Sequence, residues 1–157
     1  MMKKEMLVFR FDELINAPID VVFDYVDDDE KIKLWNTLLI ENVYENEEDR
    51  IQCKPGTKFK TVQMIEKKTI TVDSVLVEYE APHKIIIHST TKEGVSITKY
   101  LLSREHTQTR LIVESSIIPS NLFYKLSTKM FAWAGKIFYE EQYKRLIEYV
   151  ENEVEDY

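Results

Sequence analysis

The sequence predicts an α+β fold: a curved seven-stranded antiparallel sheet wrapped around a long C-terminal helix, with two short helices after the first strand. Three observations carry this expectation. The chain opens on one alternating segment followed by two short helical stretches. Six more alternating runs, separated by turn signals, then follow without a helical pattern between them. After Pro119 the chain closes on one long stretch of helical character.

The opening strand sets Leu7, Phe9 and Phe11 on one side and Arg10 and Asp12 on the other. Asn16-Ala17-Pro18 ends it, with Pro18 suited to the first turn of a helix and Asn16 a nearby candidate cap. That helix carries Val22, Phe23 and Val26 as its buried stripe. The run Asp27-Asp28-Asp29-Glu30 suits the positive end of a helix, so Asp28 or Asp29 starts a second one, with Ile32, Leu34 and Trp35 as its apolar residues.

Strands are expected over 38–45, 57–66, 69–80, 84–90, 95–104 and 108–118. Residues 46–50 read as a solvated acidic loop, and Pro55-Gly56 as a turn. In 57–66, Phe59, Thr61, Gln63 and Ile65 oppose Lys58, Lys60, Val62 and Met64. In 69–80 the alternation changes phase, from Ile70 and Val72 to Val75, Val77 and Tyr79, which implies a bulge or bend at Asp73-Ser74. In the last strand Leu111, Val113 and Ile117 oppose Arg110 and Glu114. Ser120 or Asn121 then caps a helix running to about Glu153. Its front half is apolar around most of its circumference; its rear half is amphipathic, with Tyr143, Leu146, Ile147 and Val150 between charges. A sheet this large does not stay flat, and wrapping it around the helix buries both. A flatter two-layer α+β arrangement satisfies the same pattern.

With 157 residues and no linker or repeat, the chain reads as one domain over 1–157. The 21 Lys+Arg against 28 Asp+Glu leave a net charge of −7, the wrong balance for a nucleic-acid binder and repulsive toward anionic membranes. Cys53 is the sole cysteine, and His83, His88 and His106 show no ligand spacing, so neither a metal nor a cofactor is expected. Met1 to Glu5 begin as a basic leader would, but Arg10, Asp12 and Glu13 interrupt any apolar continuation. No segment is apolar for long enough to span a membrane, and a cytoplasmic monomer or homodimer is the expectation.

The order of four short motifs resembles the START-related helix-grip superfamily, and within it the polyketide cyclase/dehydrase-like and pollen-allergen-like branch. INAPIDVVFDYVDDDEKIKLWN at 15–36 is similar to that superfamily's Ala-Pro, helix, Asp, second helix, Trp opening. KPGTKFK at 54–60 resembles its Gly-Thr-x-Phe strand start, and YEAPHKIIIH at 79–88 its Pro-bounded turn into an aliphatic strand. TQTRLIVESSI at 107–117 resembles its penultimate strand, with Gln108 where a glycine is usual. The resemblance implies a cavity between sheet and helix that takes a small hydrophobic ligand, lipid-, sterol- or polyketide-like. It does not imply a reaction, because the fold hosts binders, enzymes and chaperone partners alike.

The expected lining is Trp35, Phe59, Tyr79, Phe123, Leu126, Met130 and Ala134, with Gln63, His88 and Tyr100 as candidate polar contacts. No catalytic constellation stands out: His83 and His106 lie at turns, His88 has no identifiable partner, and nothing marks Cys53 as an activated thiolate. Two alternatives stand beside simple binding. One is a cyclase- or dehydratase-type enzyme using a buried acid, His88 or Tyr100 in the same cavity. The other is a protein-interaction module docking through the apolar helix. More apolar surface lies on 122–139 than one stripe can bury, so a second helix, a dimer mate, a ligand or a bilayer must cover it. Gly135, costly inside a helix, suggests a close backbone contact or room for a ligand.

Overall fold

The structure, a computed structural model, describes residues 4–155. Met1 to Lys3 of the basic start, and Asp156 of the acidic tail, lie outside the described residues. The elements follow the order β1 (Met6–Ile15), α1 (Ile19–Asp27), α2 (Asp29–Trp35), β2 (Leu39–Tyr44), α3 (Glu47–Gln52), β3 (Lys58–Ile65), β4 (Lys68–Glu80), β5 (Lys84–Thr91), β6 (Gly94–Glu105), β7 (Gln108–Pro119) and α4 (Leu122–Glu155). All seven strands form one antiparallel sheet in the order β1-β7-β6-β5-β4-β3-β2. Strands β2 to β7 are thus a meander, and β1 closes the far edge against β7. With α4 against the concave side, this is the expected helix-grip arrangement.

The core occupies one end of the sheet. Phe9, Phe11, Ile85, Leu102, Leu111 and Val113 meet Tyr143, Leu146 and Val150 from the rear of α4, while Val22, Phe23, Val26 and Trp35 close the end. Gln142 locks the helix in place: its amide oxygen accepts from the Thr37 N–H (2.9 Å) and its amide nitrogen donates to the Thr37 hydroxyl (3.1 Å). Two features shape the other end. Gly94 opens β6 at φ 141°, where a Cβ would collide with the Ile118 carbonyl oxygen. Asn121 caps α4, its side chain accepting from Tyr124 N–H at 3.0 Å.

Four local expectations are corrected. Leu7 is exposed and does not share a face with Phe9 and Phe11, because a register irregularity lies between Leu7 and Phe9. Residues 47–52 form α3 and not a loop: the Asn46 side chain accepts from Asp49 N–H (2.8 Å), and three acidic residues fill the first turn. Asn16 does not cap α1. Pro18 occupies that position without a side-chain bond, and the Asn16 N–H donates to Glu151 instead. The irregularity in β4 falls between Leu76 and Glu78, so the inward residues are Val72, Ser74 and Leu76, then Tyr79. The second helix does start as expected, with the Asp28 carboxylate accepting from Glu30 N–H at 2.9 Å.

Candidate functional site

The concave face divides into two chemistries. Toward α1 and the rear of α4 the inward positions are aliphatic or aromatic. Toward the start of α4 they become hydroxyls: Ser89 and Thr91 on β5, Ser96 and Thr98 on β6, and Ser115 on β7. Period-two spacing within each strand makes all of them face inward, and register brings them side by side, Ser89 opposite Ser96 and Thr98 opposite Ser115. A hydroxyl ladder continues across the sheet, from Thr61 to Ser74 (3.0 Å) and from Ser74 to Ser89 (2.8 Å).

Between this surface and α4 lies a cavity of about 220 Å³. Its helix wall is Phe138, Tyr139, Gln142 and Tyr143, and Trp35, Asn36 and Leu38 close one side. Gln63, Val72 and Tyr100 complete the sheet wall. The Tyr100 and Tyr143 hydroxyls lie 3.3 Å apart. Burial pushes the Tyr100 phenol up to about 12 and that of Tyr143 well above the usual tyrosine range. Both therefore stay protonated, with no tendency to act as phenolate bases; one donates to the other, which leaves the second hydroxyl's proton for a bound oxygen. The Trp35 indole N–H is already committed to the Tyr25 carbonyl at 2.7 Å, so its ring and not its nitrogen faces the cavity.

The structure brings Trp35, Gln63 and Tyr100 together at this cavity. Phe59 lies on the same sheet face but packs into the core, stacked on Tyr44 at 5.0 Å. Tyr79 sits at the closed end, where its hydroxyl donates to Asp27 (2.9 Å) and its ring meets Phe23 edge-on. His88 points to the opposite face, because β5 parity turns Ser89 and Thr91 inward; it lines a wider groove of about 610 Å³ with Lys58, Lys60, Asp73 and Val75. That groove is the larger concavity, yet it is more open to solvent, so the more enclosed cavity under α4 is the better candidate site. Phe123, Leu126, Met130 and Ala134 are exposed on α4, one to several turns before the residues that wall the cavity. The inward hydroxyls were absent from the expected lining, although Ser89/Thr91 and Ser96/Thr98 at spacing two were legible as same-face pairs.

Chemistry elsewhere is structural. Burial, with the Asp27 carboxylate second, pushes the Cys53 thiol up, the reverse of what an activated thiolate needs. His83 uses Nδ1 on the Leu102 carbonyl (3.1 Å). Among the described residues no cluster of His, Cys, Asp and Glu is placed to hold a metal ion, and no helix is long and apolar enough to cross a membrane.

The family model described as activator of Hsp90 ATPase homolog 1-like protein matches residues 16–151. No curated protein matches the sequence significantly. Among solved structures, a protein of unknown function from Staphylococcus aureus, SA2116, superposes with TM-score 0.69 at 14% identity, over 98% of both chains. Ara h 8.0201 superposes with TM-score 0.66 at 14% identity, over 95% of this chain and 99% of that one. DynU16, a putative protein in the dynemicin biosynthetic locus, superposes with TM-score 0.64 at 14% identity, over 96% of this chain and 48% of that one. At such identities the likeness is one of fold.

Proposed function

We propose, from the premise that the chain belongs to the activator of Hsp90 ATPase homolog 1-like family, that it binds a small hydrophobic molecule bearing several oxygens in the cavity between sheet and helix, without turning it over. The observation that carries this reading is the cavity's mixed wall. Aromatic rings from Trp35, Phe138 and Tyr139 offer apolar burial on one side, and inward hydroxyls from β5, β6 and β7 offer polar contacts on the other. Burial at roughly 25 cal/mol per Å² drives binding, and the hydroxyls select orientation. A purely aliphatic chain would strip water from those hydroxyls without replacing its bonds, so an oxygenated ring system of polyketide or sterol type suits the site better than a bare acyl chain. About 220 Å³ is below the ~300–1,000 Å³ of drug-sized pockets, which favours a compact molecule or one end of a longer one.

Native mass spectrometry of the purified protein, followed by denaturing extraction, tests the reading. A one-to-one adduct of an oxygenated apolar molecule is expected, and Ser115→Phe and Thr98→Phe should each remove it at least tenfold while the fold persists. An empty protein that takes up neither a fluorescent fatty acid nor an aromatic polyketide probe would overturn the proposal. So would uptake unchanged by both substitutions.

A further inference from the structure

Helix α4 changes its apolar side along its length. In the rear half Tyr143, Leu146 and Val150 form the buried stripe. In the front half the residues continuing that side are Tyr124, Thr128, Ala132 and Gly135, all half-buried. The large apolar residues Leu122, Leu126, Met130, Trp133 and Ile137 recur every three or four positions on the other side, about half a turn away at ~100° per residue. They are the most exposed apolar side chains of the helix together with Phe123 and Phe131, with Phe123 at 69%, Trp133 at 67% and Met130 at 65%. This face is therefore directed outward by its own sequence and is not an unfilled part of the core.

Its charges are equally one-sided. Residues 122–139 contain Lys125, Lys129 and Lys136 and no acid, and these three fall in one row bordering the apolar stripe. Setting those three lysines aside from a chain of net charge −7 leaves −10 on the rest. The segment is ~27 Å long at 1.5 Å per residue, against a Debye length of about 8 Å in physiological salt. Net charge therefore does not govern what this face meets; the local lysine row does. We propose that the front half of α4 docks on an anionic lipid bilayer, with Phe123, Met130 and Trp133 in the headgroup–acyl boundary and the lysine row on the acidic headgroups. Antiparallel pairing with a second copy is disfavoured, because it sets both lysine rows along the same edge. The proposal does not depend on what fills the cavity.

Vesicle co-flotation of the full chain tests it, with phosphatidylcholine vesicles compared with vesicles in which about a third of the lipid is phosphatidylserine. Flotation with the anionic vesicles, a blue shift of Trp133 emission and loss of both in high salt are expected. Replacing Lys125, Lys129 and Lys136 together by Gln should weaken partitioning on the order of a hundredfold, at about fivefold per lysine. Phe123→Glu with Met130→Glu should abolish it, and since both sites are exposed the circular dichroism should be unchanged. Ser115→Phe should leave flotation intact, which separates this surface from the cavity. Absence of flotation by the folded wild type overturns the proposal, as does equal binding to both vesicle types. A sedimenting dimer that the Phe123→Glu/Met130→Glu pair dissociates, without vesicle binding, assigns the face to a second copy instead.

Discussion

Asp27 shows how a single carboxyl can belong to the fold's architecture and still work against its stability. It closes α1, accepts from the Tyr79 hydroxyl at 2.9 Å and is pushed up from the ordinary Asp range, chiefly by burial. A carboxyl raised in the folded state favours folding while protonated, so its contribution is full below an unfolded pKa of about 4 and is lost as pH rises through the folded value. Asp27→Asn keeps an acceptor for Tyr79 without the charge. The variant should therefore match or exceed wild-type stability at pH 7, and its advantage should shrink as pH falls toward 4. Urea denaturation at several pH values measures this directly. A variant less stable at pH 7 than at pH 4, relative to wild type, would mean that the ionised carboxylate is needed. None of this could be read from Asp27 in sequence, where it is one of four consecutive acids. Only Asp28, whose role as a cap depends on the next two residues, was legible from local chemistry.

Elements were legible wherever local pattern and tertiary demand agree. The six-strand meander and the long helix follow from alternation and turn chemistry, and all appear where expected. Phase was harder to read, because a bulge moves every later side chain to the other face, and several residues on each side of it are apolar. In β4, Val75 and Val77 looked like the inward pair, whereas Ser74 and Leu76 are the residues buried. Strand β5 presented the same ambiguity with Ile85, Ile86 and Ile87 in succession, and pairing alone settles that His88 faces outward. Within α4, Gly135 has no heavy atom within 4 Å of where a Cβ would sit, so the close contact its presence suggested is absent. Gly135→Ala should then gain helix propensity at no steric cost, stabilising by about 0.5–1 kcal/mol and raising Tm by roughly 1–4 °C. Thermal melts followed at 222 nm check it, and a fall in Tm would mean that the open space at Gly135 is needed for folding.

At the scale of the whole molecule, one helix serves two purposes, and its two halves should differ in stability. Rear residues such as Leu146 and Val150 are fully buried and tied to the sheet and to α2, so their amides open only when the core does. The front half has its large apolar residues outward, and a solvent-exposed helical stretch of this length is marginal in water. Part-sequence arguments could identify both halves as helical and apolar, but not that their apolar sides oppose each other. That relation emerges only when exposure is set beside the helical repeat. Hydrogen–deuterium exchange should therefore find amides of 124–134 exchanging at least a hundredfold faster than those of 143–150, through local opening uncoupled from denaturant. Anionic vesicles should slow exchange in the first segment and leave the second unchanged, because a bilayer would supply the burial that the sheet does not. Equal protection in both halves of the free protein would instead mean that the front half is packed as tightly as the rear, and that its outward stripe has no need of a partner.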